Sequence, residues 1–282
     1  MKHENDTPIG AFKVRGGLVY LHELTRKERG TSGVITATRG NHGQSIAFAA
    51  ARHGIKCTVV VPHGNSIEKN AAMRALGAEL VVHGRDFQEA REHMQQLANA
   101  RGLHEVNSFH PWLVTGVATY ALELFEAVPD LDSVYVPIGL GSGICGTIAV
   151  RDALGLGTQV IGVVAQTADA YARSFEAGRV VPTESSETIA DGMAVRVPDA
   201  GALAIIRRGA ARVVRVSDAE IEAAMRAFFT DSHNVAEGAG AAPLAAAMRE
   251  REHVRGKKIG LILSGGNVDR VVYSAILNVG PH

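Results

Sequence analysis

The fold is indicated by one stretch, SVYVPIGLGSGICG at residues 133–146, in which an apolar, partly β-branched run leads directly into a glycine-rich segment. The run has the composition of a buried strand, and helical character resumes after the glycines. Glycines allow backbone N–H groups to approach an anion closely, and a helix that follows adds its positive N-terminus. We therefore predict a strand, a loop that holds a phosphate group, and a helix. A tight turn that needs glycine only for packing is the alternative.

The same alternation of short apolar runs and longer helical segments continues along the chain, which is typical of parallel α/β units. Several runs are almost continuously apolar, so we expect helices on both faces of the sheet. The Ala/Gly-rich segment EGAGAAPLAAAM, residues 237–248, is predicted to be a close-packed helix. Strands are predicted at residues 33–38, 58–62, 79–84, 133–139, 159–165, 212–217 and 258–266, and further helices at residues 40–54, 66–78 and 217–229, the last with a capping box of Ser217 and Glu220.

The composition excludes several classes of protein. Lys and Arg together number 29, as do Asp and Glu, so the chain lacks the positive charge that favours nucleic acid or an acidic membrane. The 2 cysteines, Cys57 and Cys145, are too few for a disulfide framework. The 12 histidines have no metal-ligand spacing, and no apolar run has the length of a membrane span or forms a signal peptide. We expect a globular cytoplasmic protein without a metal site.

In open α/β sheets ligands bind at the carboxyl ends of the strands, so the residues that follow each strand are candidates for a site. In the glycine-rich segment, Gly141, Gly143 and Gly146 match the dinucleotide-binding pattern G-x-G-x-x-G, which is weak evidence on its own. That pattern also needs an acidic residue at the end of the next strand, where this chain has Gln166. The prediction of a phosphate site is kept, and a nicotinamide nucleotide is the less favoured ligand.

Three other segments carry polar groups that suit a binding site. TRGNHGQ, residues 38–44, offers short side chains and free N–H donors for a carboxylate or a phenolic oxygen, or is an ordinary helix start. Ser264, after the last strand, either contacts a ligand or caps the final helix. Lys13, in TPIGAFKVRGG at residues 7–17, is either a solvated surface charge or a lysine held in a pocket for chemistry.

Four segments occur in one order with fitting separations: FK at residues 12–13, GNHGQ at 40–44, the glycine-rich loop, and SGGN at 264–267. This combination resembles the fold type II pyridoxal-phosphate-dependent enzymes, in the branch of the threonine/serine dehydratases (ammonia-lyases) and serine racemases. The similarity covers essentially the whole chain. It implies an α/β fold of two three-layer α/β/α domains with mostly parallel twisted sheets, as in the tryptophan synthase β subunit. The cofactor, pyridoxal 5′-phosphate, would lie in the cleft between the domains.

The resemblance also implies a domain division and an assembly. The large cofactor-binding domain would comprise residues 1–32 and 111–282, and the small domain residues 33–110. Relatives carry several tens of residues ahead of KHEN, residues 2–5, so we expect a fragment or a chain that lacks its usual N-terminal portion. We further expect a homodimer or higher homo-oligomer that binds a small-molecule amino acid and neither nucleic acid nor membrane.

On this resemblance Lys13 is the lysine that forms the Schiff base with the cofactor and that later takes the α-proton of the substrate. The glycine-rich loop would hold the cofactor phosphate, Asn41 would contact the pyridine hydroxyl, and Ser264 would face the ring nitrogen. The implied cofactor-binding residues are Phe12, Lys13, Asn41, Gly139, Leu140, Gly141, Ser142, Gly143 and Ser264, and the implied substrate-binding residues are Thr38, Arg39, Asn41 and His42.

The implied reaction removes the β-hydroxyl and the amino group of a hydroxy amino acid of the L-threonine or L-serine type, which gives a 2-oxo acid and ammonia. The lysine must lose its proton for this chemistry, and burial beside Phe12 would lower the pKa of Lys13 by disfavouring the ammonium. Three alternatives stay open: an amino-acid racemase of the same fold, a non-catalytic ligand-binding relative that lacks the N-terminal segment, and a nucleotide-dependent oxidoreductase.

Arg39 is the most informative departure from the family pattern, because the racemases carry serine at this position. Racemisation needs a second acid/base on the face opposite the catalytic lysine, and a permanently protonated arginine is a poor base. We therefore expect elimination without racemisation. The acidic residues that bind a divalent cation in the racemase branch align with Val164 and Ala170, so no metal is expected.

Overall fold

The computed structural model describes residues 1–28 and 30–279 and contains two parallel β-sheets flanked by helices. The strands are β1 Lys2–His3, β2 Gly33–Ala37, β3 Lys56–Val61, β4 Glu79–Val82, β5 His104–Glu105, β6 Ser133–Pro137, β7 Gln159–Ala165, β8 Ala210–Val216 and β9 Ile259–Leu263. The helices are α1 Lys13–Lys27, α2 Asn41–Arg52, α3 Ile67–Ala75, α4 Phe87–Arg101, α5 Pro111–Ala127, α6 Ser142–Ala153, α7 Ala170–Ala177, α8 Ala200–Gly209, α9 Asp218–Ser232, α10 Gly238–Arg249, α11 Arg251–Val254 and α12 Arg270–Leu277.

The larger sheet has the strand order β1-β9-β6-β7-β8, and the smaller sheet has the order β4-β3-β2-β5. All neighbouring strands within these sheets run parallel. The predicted α/β class with mostly parallel sheets is thereby confirmed. Every predicted strand is present, with ends that differ by at most three residues. Most of the predicted strands extend too far, because the composition does not mark where pairing with the neighbouring strand ends.

Both faces of the larger sheet are buried, as the continuous apolar runs predict. Along β6, Val134 and Val136 pack in one apolar cluster with Ile144 of α6. The residue between them, Tyr135, belongs to the cluster on the other face, with Phe228 of α9. This alternation follows from the two-residue period of a strand and produces a layer of helices on each side of the sheet.

Helix α10 is the close-packed helix that its composition predicts, since Ala241, Ala242 and Ala246 are fully buried. At Gly240 an added Cβ would lie 2.4 Å from the carbonyl oxygen of Gly265, so only glycine permits the helix to lie this close to the end of β9. The backbone N–H of Glu237, just before the helix, donates to the same carbonyl at 3.1 Å. Helix packing thus fixes the backbone at Glu237.

The strands of the smaller sheet all lie between Gly33 and Glu105, and those of the larger sheet lie outside this range. This arrangement is compatible with the division into residues 1–32 with 111–282 and residues 33–110, which stays a prediction. The hydrophobic pattern does not predict the strands β1 and β5, because segments of two residues are too short to carry a hydrophobic period. Within the described ranges, no helix combines the length and the apolar character needed to cross a membrane.

Candidate active site

A cavity of about 840 Å³ lies at the carboxyl ends of strands from both sheets. It is reached by the loop after β2, the glycine-rich loop after β6, and the residue that follows β9. Every site residue that the sequence predicts lines this one cavity: Phe12, Lys13, Thr38, Arg39, Asn41, His42, Gly139, Leu140, Gly141, Ser142, Gly143 and Ser264. The other lining residues include Lys69, Asp191 and Glu237, to which the sequence assigned no role.

Lys13 is the first residue of α1, and its side chain lies in the cavity. Its Nζ donates a hydrogen bond to Ser142 Oγ at 2.9 Å, and the same atom lies 4.9 Å from the centre of the Phe12 ring. Burial lowers the pKa of Lys13 from 10.5 to about 8, while the charge of Glu237 acts in the opposite direction. The predicted lowering of the pKa is confirmed, so near neutral pH the unprotonated fraction of this amine is larger than that of an ordinary lysine.

The backbone on both sides of the Lys13 side chain is held by hydrogen bonds. Ser45 Oγ, on α2, donates to the carbonyl oxygen of Lys13 at 2.5 Å. The N–H of Phe12 donates to the carbonyl oxygen of Ser264 at 3.0 Å. The Phe12 ring meets Tyr120 edge-on, with the ring centres 5.9 Å apart. These contacts join Lys13 to elements around both sheets, so its amine has a fixed position in the cavity.

We expect the Lys13 amine of the cofactor-free protein to gain reactivity towards an acylating reagent around pH 8, because only the unprotonated amine is a nucleophile and burial lowers its pKa to about 8. Brief labelling across a pH series, quantified by peptide mass spectrometry, measures this profile. The exposed Lys257 serves as the internal reference in each sample. A Lys13 reactivity that rises only near the ordinary value of 10.5 would contradict the burial argument.

The glycine-rich loop after β6 is shaped by contacts that exclude side chains. A Cβ at Gly139 would lie 2.3 Å from the carbonyl oxygen of Gly192, and Gly141 has a φ of +101°, a conformation that L side chains rarely adopt. Tyr171 Oη donates to the carbonyl oxygen of Leu140 at 3.0 Å. The first amide of α6 with a backbone partner is that of Cys145, which donates to Gly141.

The amides of Ser142, Gly143 and Ile144 consequently have no backbone partner among the residues that the structure describes. Free N–H groups at the start of a helix, combined with the positive end of the helix dipole, bind anions such as phosphate. The predicted phosphate site thus has the required donors. The glycines that frame it leave room for a ligand to approach the backbone.

The loop after β2 forms a second group of free N–H donors, at the start of α2. Thr38 Oγ1 accepts hydrogen bonds from the amides of Gly40 at 2.9 Å and Gly43 at 3.2 Å, so this side chain orders the loop. The amides of Asn41 and His42 have no partner within the described ranges. Burial lowers the pKa of His42 to about 3, and its buried Nε2 forms no hydrogen bond. His42 is therefore a neutral polar group at the cavity.

Three charged side chains that we call the Lys69 cluster, Lys69, Asp191 and Glu237, form a further wall of the cavity. Lys69 Nζ donates to Asp191 Oδ2 at 2.6 Å and lies 3.3 Å from Glu237 Oε2. Asn41 Nδ2 donates to Glu237 Oε1 at 2.6 Å, and Asn267 Nδ2 donates to Asn41 Oδ1 at 2.9 Å. The cluster therefore fixes the orientation of Asn41.

The Lys69 cluster keeps its lysine charged. Burial alone would lower the pKa of Lys69, but the carboxylates of Glu237 and Asp191 together raise it above the ordinary value. Burial raises the pKa of Glu237, and the ammonium of Lys69 counteracts this rise. Of the two lysines that line the cavity, Lys69 thus has a raised pKa and stays protonated, whereas Lys13 has a lowered pKa.

The sequence contained only weak signals for this cluster. Asp191 lies in the segment ADG, residues 190–192, which is similar to the family pattern without an assigned role. Glu237 lies in EGAG, residues 237–240, which departs from the usual EPSG of the family. Lys69 lies in a predicted helix in which a lysine is usually solvated. Its proximity to residues more than a hundred positions away depends on the fold, which local patterns do not contain.

Comparisons with known proteins give a consistent result. A family model described as "Pyridoxal-phosphate dependent enzyme" matches residues 1–265. An L-threonine ammonia-lyase from Thermotoga maritima is 34% identical over 281 residues, which cover 99% of this chain and 70% of that protein. An L-threo-3-hydroxyaspartate ammonia-lyase from Saccharomyces cerevisiae is 32% identical over 278 residues, which cover 98% of this chain and 85% of that protein.

Among solved structures, the processed form of threonine deaminase isoform 2 from Solanum lycopersicum is similar to this chain with a TM-score of 0.90. The two share 30% sequence identity, and the match covers 97% of this chain and 80% of the tomato protein. The family model and the structural match therefore both extend over the two sheets.

Proposed function

We propose that this chain, which belongs to the family of pyridoxal-phosphate dependent enzymes, is an ammonia-lyase that acts on a β-hydroxy amino acid. It would remove the β-hydroxyl and the amino group to give a 2-oxo acid and ammonia. The observation that supports this most strongly is Lys13, an amine with a lowered pKa that contacts Ser142 at the free N-terminus of α6. The ammonia-lyase relatives match over nearly the whole chain.

The cavity residues fit pyridoxal 5′-phosphate. The free amides of Ser142, Gly143 and Ile144 suit its phosphate, and the glycine loop has the space that a Cβ at Gly139 would remove. Lys13 supplies the amine for covalent attachment. When bound, the cofactor supplies an aldehyde that captures amino groups and a ring that withdraws electrons from the α-carbon.

The residues that line the cavity have the following roles in this proposal. Lys13 holds the cofactor and then accepts the α-proton at its neutral Nζ. Asn41, oriented by Glu237, would contact the pyridine hydroxyl, and the buried Ser264 hydroxyl would contact the ring nitrogen without adding a charge. The free amides at the start of α2, together with the neutral His42, bind the substrate carboxylate.

Serine and threonine are the reference substrates of the proposal, since the most similar relatives include an enzyme named for threonine. A homodimer or a higher homo-oligomer, a cytoplasmic location and the division into a large and a small domain belong to the same proposal. The racemase alternative is less favoured, because Arg39 occupies the place at which a second acid/base would be needed.

The test of the function is product analysis with the purified protein loaded with cofactor. We expect equal amounts of ammonia and 2-oxo acid from at least one of L-serine, L-threonine and L-threo-3-hydroxyaspartate, and none from L-alanine. Chiral chromatography of the L-serine reaction should show negligible D-serine. Formation of D-serine as fast as pyruvate would establish a racemase instead. Bound cofactor without product from any of the three hydroxy amino acids would support the non-catalytic alternative.

A further inference from the structure

Arg39 occupies the cavity wall between β2 and α2 without a partner for its charge. Its Nε atom is buried and forms no hydrogen bond, and no carboxylate in the described part of the chain forms an ion pair with its guanidinium. Arg39 as a whole is half-buried, so the unmet requirement is that of the Nε–H donor, and a buried donor without an acceptor is unfavourable. A ligand could supply the hydrogen-bond acceptor that Arg39 lacks.

Neither acidic residue of the cavity pairs with Arg39 in the described part of the chain. The acidic side chains that line the cavity are Asp191 and Glu237, and both are paired with Lys69. The candidate phosphate and carboxylate sites have their own donors in the free amides of α6 and α2. The proposed cofactor phosphate and the α-carboxylate of an amino acid therefore do not need Arg39, and its positive charge is left for another anionic group of the substrate.

The surroundings of Arg39 extend this excess of positive charge outward. Arg39 also lines an adjoining cavity of about 440 Å³, together with Arg91, Arg196 and Asp86. Asp86 pairs with Arg196, with 3.1 Å between Asp86 Oδ2 and Arg196 Nη2, whereas Arg91 forms no ion pair among the described residues. The net positive charge of this lining concentrates ligands of the opposite sign and accelerates their binding.

We propose that Arg39 binds a second carboxylate on the β-carbon side of the substrate, so that the preferred substrate is a small β-hydroxy dicarboxylic amino acid. This inference rests on the proposed function and specifies its substrate class. The planar guanidinium offers two parallel N–H donors, which match the two oxygens of a carboxylate better than a hydroxyl or methyl group.

The conversion of such a substrate to an oxo acid and ammonia needs no reactant other than water. Lys13 takes the α-proton, the bond from Cβ to the hydroxyl oxygen breaks, and that oxygen leaves as water. A water molecule then replaces the nitrogen, which leaves as ammonia. 3-Hydroxyaspartate thus gives the four-carbon oxo dicarboxylate oxaloacetate and ammonia, with no change in overall oxidation state.

The test compares kcat/KM for L-threo-3-hydroxyaspartate and for L-serine in the holoenzyme, the Arg39→Ser variant and the Arg39→Lys variant. We expect the wild type to prefer 3-hydroxyaspartate, and Arg39→Ser to reduce the ratio of the two kcat/KM values by about 10- to 100-fold. Arg39→Lys should give an intermediate ratio, because an ammonium keeps the charge but lacks the two parallel donors. The matched control is Arg255→Ser, at an exposed position far along the chain, which should keep the wild-type ratio.

A binding measurement without turnover accompanies the kinetics. Succinate and butyrate have the same chain length and differ in one carboxylate, so their dissociation constants for the holoenzyme, measured by calorimetry, isolate the second charge. Succinate should bind more tightly than butyrate to the wild type, and the difference should disappear in Arg39→Ser.

Two results separate the possible failures. If ammonia is released from L-serine as efficiently as from 3-hydroxyaspartate, and Arg39→Ser leaves the ratio unchanged, the substrate class is wrong while the ammonia-lyase function stands. If the cofactor-loaded protein releases no ammonia from any hydroxy amino acid, the proposed function itself fails and the inference about its substrate fails with it.

Discussion

Replacing Lys13 by alanine is expected to abolish covalent attachment of the cofactor and to reduce ammonia release by about 10³-fold or more, because one amine serves as both the anchor and the base. Borohydride reduction followed by peptide mass spectrometry locates the attached cofactor, and a coupled assay measures ammonia. Lys257→Ala, which removes an exposed lysine, is the matched control and should keep both properties.

The competing candidate for attachment is Lys69, the other lysine that lines the cavity. Its pKa is raised by Glu237 and Asp191, so its amine is protonated and a poor nucleophile, whereas the pKa of Lys13 is lowered to about 8. Detection of the cofactor on the Lys69 peptide in wild-type protein, or full ammonia release by Lys13→Ala, would show that the assignment of Lys13 is wrong.

Replacing Lys69 by methionine is expected to lower the free energy of unfolding by about 3 kcal/mol, because removing one partner of a buried ion pair leaves the other charge uncompensated. Lys69 is only 5% exposed and Glu237 only 2%, so water does not replace the lost ammonium. Urea unfolding of the cofactor-free variant measures the loss. Lys258→Met, which removes the lysine of an exposed pair with Asp130, should cost much less.

The loss of stability in Lys69→Met should also depend on pH. Burial already raises the pKa of Glu237 above 4.5, and loss of the Lys69 charge raises it further. A carboxyl whose pKa is higher in the folded state destabilises the protein as the pH rises above the unfolded value. The deficit of Lys69→Met should therefore be larger at neutral pH than near pH 4.5, and Glu237→Gln in the same chain should recover part of it.

A deficit of Lys69→Met no greater than that of Lys258→Met would contradict the account of the cluster as a buried and mutually compensated set of charges. A deficit that the additional Glu237→Gln change leaves unaltered would show that lost packing of the lysine chain, not the unpaired carboxylate, dominates.

The sequence predicted the parts of the site that follow strands, because strand, glycine loop and helix are consecutive in the chain. Gly139 and Ser264 could be named in this way, whereas Lys13 was assigned on the resemblance, and all three line one cavity. The residues that the sequence did not identify owe their position to contacts between remote segments. Lys69 and Asp191 are 122 positions apart, and neither belongs to a pattern with a local physical explanation.

The sequence also did not predict the hydrogen-bond partners of the site side chains. Thr38 was predicted to contact the substrate, but its hydroxyl oxygen accepts hydrogen bonds from Gly40 and Gly43 and orders the loop. Asn41 was predicted to contact the cofactor, and its amide group is already held by Glu237 and Asn267. Hydrogen-bond partners of this kind depend on tertiary packing, which residue spacing does not reveal.

The close contact between Gly139 and Gly192 determines which positions of the cavity protein engineering can vary. Any side chain at residue 139 would displace the segment that carries Asp191, and with it the partner of Lys69, so a change made for the phosphate loop would propagate to the opposite wall. Phe87 and Val195 line both the main cavity and its outer neighbour. Libraries that aim to change substrate range should therefore vary these two positions together with Arg39 and keep Gly139 constant.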